Sequence, residues 1–141
     1  MSTSGRNKRF KYRTAFAYLF LTVLCVCIDR IYALFAHGVY SRAMSWMFLY
    51  PLLGGCVFYF LLESRVTGFF HRKGVRLGRN LYNSGIAALT AGSLLKGILD
   101  IAGTASPYVA LFQITGIVFS VVGLFFLLKA AFMEKTPDSR R

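Results

Sequence analysis

At 141 residues, with 56% hydrophobic content, 16% charged residues and a formal charge of +12, the chain is more apolar than a soluble core can hide. A charge of that size would suit a nucleic-acid binder, but here the basic residues flank long apolar runs, which argues for a lipid bilayer as partner and against nucleic acid. The expected class is all-α: a polytopic membrane protein, a four-transmembrane-helix bundle over residues 15–132, with a basic tail at 1–14 and a short C-terminal tail at 133–141.

The first expected span, 15–36, follows a basic N-region. Its apolar run is too long for a signal peptide and lacks a small-x-small cleavage site, so it reads as a retained helix. Asp29 and Arg30 lie near its far end, and His37 follows it. Cys25 and Cys27 here, with Cys56 in the next span, make an odd set without CxxC spacing. They read as small packing residues and supply neither a disulfide framework nor a zinc site.

The second span, 44–62, contains "YPLLGG". Pro51 removes a backbone donor and Gly54 and Gly55 loosen the next turn, which predicts either a static kink or a short unwound section, with the kink preferred. An unwound section would offer carbonyls to ions or substrates, as in transporters. The loop at 63–81 mixes Arg and Lys with Phe69, Phe70, Val75 and Leu77, a composition suited to lying along lipid headgroups.

The third span, 82–103, repeats Ser84, Ala88 and Gly92 at four-residue intervals below Lys96 and Asp100. The fourth, 107–132, carries Gly116, Ser120 and Gly123, with Gln113 nearer its start. Small stripes on both let backbones approach closely, so the third and fourth helices are expected to pack tightly.

Orientation follows from Lys and Arg placement. Arg6, Lys8, Arg9, Lys11 and Arg13 precede the first span, Arg65, Arg72, Lys73, Arg76 and Arg79 lie in the middle loop, and Lys129, Lys135, Arg140 and Arg141 end the chain. Arg30, Arg42 and Lys96 fall toward the other side. The positive-inside effect then places both termini in the cytoplasm, against anionic headgroups of a plasma or inner membrane, and argues against a dual-topology antiparallel dimer. Tyr32, Tyr40, Trp46, Tyr50 and Tyr108 gather at the opposite boundary as an interfacial belt.

Counting helical rise puts Asp29, Arg30 and Lys96 roughly 21–23 Å above the cytoplasmic end, Asp100 nearer 27 Å, and Gln113 at a similar level. A lone charge in hydrocarbon costs at least about 2.5 kcal/mol, so these groups are expected to face protein. Lys96 and Asp100 are an i,i+4 pair in the weaker order, which favours cross-helix partners: Asp29 with Lys96, and Asp100 with Arg30. Such a layer is either a device that sets helix register or a binding site.

No zincin, P-loop, nucleophile-elbow or dinucleotide motif is present, and His37 and His71 lie on opposite sides, so no cofactor or metal is expected. Three functions remain in order. The first is an accessory or assembly subunit that binds another membrane protein or itself; the second, a small transporter or channel protomer using the polar layer and the broken helix. The third is a lipid-directed enzyme using His37 with Asp29.

Overall fold

The computed structural model describes residues 13–65 and 75–133. They form α1 (Arg13–Phe35), a one-turn α2 (Arg42–Ser45), a π-helical segment (Tyr50–Val57), α3 (Phe58–Arg65), α4 (Val75–Ile101) and α5 (Tyr108–Met133). The described residues contain no strand. Four stretches, Arg13–Phe35, Arg42–Leu62, Val75–Ile101 and Tyr108–Phe132, are long and apolar enough to cross a membrane. The tails at 1–12 and 134–141, and residues 66–74 of the expected headgroup segment with His71, lie outside the described residues.

Successive long helices run antiparallel. One end of the molecule, hereafter the acidic end, gathers Asp29, Ser41 and Asp100; the other gathers the start of α1, the start of α4 and the end of α5. The turn after α1 has Val39 N–H donating to Ala36 C=O at 2.9 Å, with positive φ at both His37 (47°) and Gly38 (88°). That is the type I′ pattern, which glycine enters at no steric cost. α4 ends on Gly103 (φ 67°), beyond which Thr104 N–H reaches back to Leu99 C=O at 2.9 Å, a Schellman closure.

The most extensive contact is between α4 and α5. Gly78 faces Phe126 and the Gly123 carbonyl, Gly85 faces Ser120 and the Gly116 carbonyl, and Gly92 faces Phe112. These glycines recur every seven residues, the period that keeps one seam turned toward a neighbour in a left-handed crossing. α4 begins at Val75, seven residues before the expected start at 82, because Gly78 extends this seam through what composition assigned to the loop. α1 packs chiefly on the π segment, which in turn rests on α4.

Two core clusters result. Ala15, Tyr18, Tyr59, Val75, Tyr82, Ile86 and Leu127 fill the half away from the acidic end, and Cys25, Met44 and Met47 fill the acidic half. Within the helices, Thr22 and Thr90 donate to the carbonyls four residues back, Tyr18 and Ile86, both at 2.8 Å, which satisfies these hydroxyls within their own helices.

Candidate functional site

Two polar constellations occupy the interior, one at each level. At the acidic end, α2 supplies the link between helices that sequence reasoning assigned to ion pairs. Ser41, 4% exposed, and Ser45 are one helical turn apart. Ser41 Oγ donates to Asp100 Oδ2 at 2.7 Å, and Ser45 Oγ donates to Asp29 Oδ1 at 3.2 Å. Met44, between them, seats against Gly97 of α4.

The cross-helix pairs Asp29 with Lys96 and Asp100 with Arg30 do not form. Lys96 Nζ lies 3.6 Å from Asp100 Oδ1 on its own helix, both side chains substantially exposed (47% and 39%), while Arg30 points outward from α1. The reason is angular: consecutive helical residues differ by about 100°, so Arg30 cannot share the inward face that Asp29 occupies. Lys96 stands five residues from the end of α4 and Arg30 five from the end of α1, about 8 Å, so long basic side chains there can extend toward the helix ends. Gln113 is half-buried with its backbone beside Gly92, two turns from Asp100 along α4. It makes no hydrogen bond to the charged groups.

His37 is exposed in the turn after α1. Because the helix stops at Phe35, it does not share a helical face with Arg30. A shallow open cleft nearby is lined by Asp29, Tyr32, Tyr40, Ser41 and Ser45 among others, and His37 is not part of its lining. No group of three or more His, Cys, Asp or Glu side chains converges among the described residues.

The second constellation is one that sequence reasoning missed. Asn83 Oδ1 on α4 accepts hydrogen bonds from Tyr18 of α1 at 2.9 Å and from Tyr59 of α3. The two phenol rings stack at 5.6 Å with an interplanar angle of 17°. Next to it, Tyr82 donates to the Gly54 carbonyl at 2.7 Å and its ring lies 4.6 Å from that of Phe58. A carboxamide oxygen has two lone-pair directions, so one asparagine can tie two helices to its own. The available signal was Asn83 itself, an amide inside an apolar run, where an unpartnered polar group is expensive.

The helix break takes a form between the two expectations. Pro51, Gly54 and Gly55 belong to a continuous π-helical segment, so this stretch is neither regular α-helix nor an unwound section. Gly55 meets the face of the Tyr18 ring, a contact that a side chain there would block, and Gly54 meets the terminal methyl of Ile86, which would have to shift for a side chain at that position. The Gly54 carbonyl that an unwound segment would present to an ion is held by Tyr82.

The small-residue stripe is shifted by one position. Gly85, not Ser84, faces α5, and Ser84 is exposed; Ala88 is half-buried, while Gly92, Gly116 and Gly123 are buried in the α4–α5 seam. Ser120 Oγ is enclosed there without a hydrogen-bond partner. Comparison with protein-family models, with curated proteins and with solved structures returns no match, so the functional reading rests on the residues just described.

Proposed function

We propose that this chain is a small integral membrane protein, with both termini cytoplasmic, that serves as an accessory or assembly subunit by packing the free face of α4 against a helix of another membrane protein. The observation that carries the reading is the composition of that face. On α1 the exposed positions include Phe16, Phe20, Leu34 and Phe35, and on α5 Leu111, Ile114, Val121 and Phe125, the large apolar side chains suited to lipid tails. On α4 the exposed positions are Arg76, Leu77, Asn80, Ser84, Ala87, Ala91, Lys96 and Asp100. Asn80, Ser84, Ala87 and Ala91 follow at spacings of four, three and four, a helix-packing seam of small and hydrogen-bonding residues with no lipid-like side chain in it.

Transport receives less support. The Gly54 carbonyl is taken by Tyr82, both aspartates accept serine hydroxyls, and the cleft at the acidic end is shallow. The test is site-specific photocrosslinking in native membranes. A photoreactive residue at Leu77, an exposed large side chain beside Asn80 on this face, should give a discrete protein adduct whose mass identifies a different chain or a second copy, whereas one at Val118 on the outer face of α5 should give lipid adducts. Lipid adducts alone at both positions would end the proposal.

A further inference from the structure

The π segment has a role that the packing of α4 does not require. A π turn accommodates one residue more than an α turn, so the helix downstream is rotated by about 100° relative to an uninterrupted α-helix. α3 begins directly after the segment, and its first two residues are Phe58 and Tyr59. The rotation therefore decides that Tyr59, fully buried, meets Asn83 and that Phe58 meets Tyr82. Local sequence does little to hold this register. Pro51 lacks one N–H, and Gly54 and Gly55 are weak helix formers. What holds it comes from outside the segment: the Tyr82 hydroxyl on the Gly54 carbonyl, the Tyr18 ring on Gly55, and the Tyr59 phenol on Asn83.

We infer that the second span is a two-register device, in which the Tyr82 hydroxyl latches the Tyr50–Val57 segment in the π form and its release lets the surplus residue pass out of the segment, turning part of this helix against α1 and α4. In the α register the Gly54 carbonyl accepts the N–H four residues on and no longer needs Tyr82. The exposed side chains that travel with the segment, Leu53 and Val57, are then presented to a neighbour at a new angle. The device is distinct from the free face of α4, since its latch, Tyr82, is a buried residue of that helix and the segment that moves belongs to the second span.

The test combines Tyr82→Phe with deletion of the exposed Leu53, in the full-length protein in detergent micelles. Deleting one residue removes the surplus while leaving α3 seated on Asn83, so the deletion variant should remain folded. A matched deletion of Val118 in α5, which throws Gly116 out of register with Ser120 and Gly123 along the seam with α4, should not. Hydrogen exchange read by mass spectrometry over residues 50–61 should accelerate about tenfold on Tyr82→Phe in the full chain, the population change expected when one hydrogen bond to a buried carbonyl is lost. In the Leu53 deletion the same substitution should leave exchange unchanged. Unaltered exchange on Tyr82→Phe, an equal response in both backgrounds, or a Leu53 deletion as damaging as that of Val118 would each overturn the inference.

Discussion

Replacing Asn83 with Leu keeps the side chain's size and removes the acceptor shared by Tyr18 and Tyr59. Hydrogen bonds between membrane helices contribute only about 0.6 kcal/mol each on average, but a buried donor left without its acceptor costs about 1–3 kcal/mol. Tyr59 is 0% exposed and Tyr18 9%, so neither hydroxyl can turn to water without displacing the rings stacked between α1 and α3. The stranded Tyr18 donor alone predicts a loss of about 1–3 kcal/mol for Asn83→Leu. Adding Tyr18→Phe and Tyr59→Phe removes both hydroxyls that donated to Asn83 while keeping the stacked pair, and the triple variant should return to within about 1 kcal/mol of the parent. Unfolding of the purified protein in mixed micelles, titrated with denaturing detergent and followed by the fluorescence of the single tryptophan, Trp46, supplies the free energies. A loss below about 0.5 kcal/mol for Asn83→Leu, or a triple variant less stable than the single one, would refute the proposed cost of the stranded donor.

Gly85→Leu should destabilise the fold by about 3 kcal/mol or more in the same titration, because the new side chain meets the backbone of α5 at Ser120 and Gly116. Its neighbour Ser84→Leu, on the free face, should leave unfolding within about 0.5 kcal/mol of the parent while abolishing the adduct formed from a photoreactive residue at Leu77. Exchanging the charges of Asp29 and Lys96 should not rescue either single variant, since the two side chains have separate partners; recovery in the double variant would restore the ion pair to consideration.

How far the fold could be read in advance depended on how local its cause was. Apolar runs near the length of a bilayer's hydrocarbon and the glycine and serine content of α4 and α5 are properties of neighbouring residues. They suffice for an all-helical chain with four stretches of spanning length and for a close third and fourth helix. The acidic-end residues were also visible as charges in apolar surroundings, but not their partners. Ser41 and Ser45 carry no charge; one precedes and the other ends a short helix that lies outside the spans from which the pairing was argued.

The sequence by itself determined that four apolar helices form, and that polar groups within them need partners, because length, hydropathy and the cost of an unpaired polar group act along the chain. Only the tertiary structure decided which partners those are. Tyr18 and Asn83 are 65 residues apart and Tyr82 and Gly54 are 28 apart. Their meeting depends on rotations of about 100° per residue, accumulated along each helix and reset by the π turn. A shift of one residue exchanges Ser84 for Gly85 at the α5 seam, and no local pattern is sharp enough to choose between them.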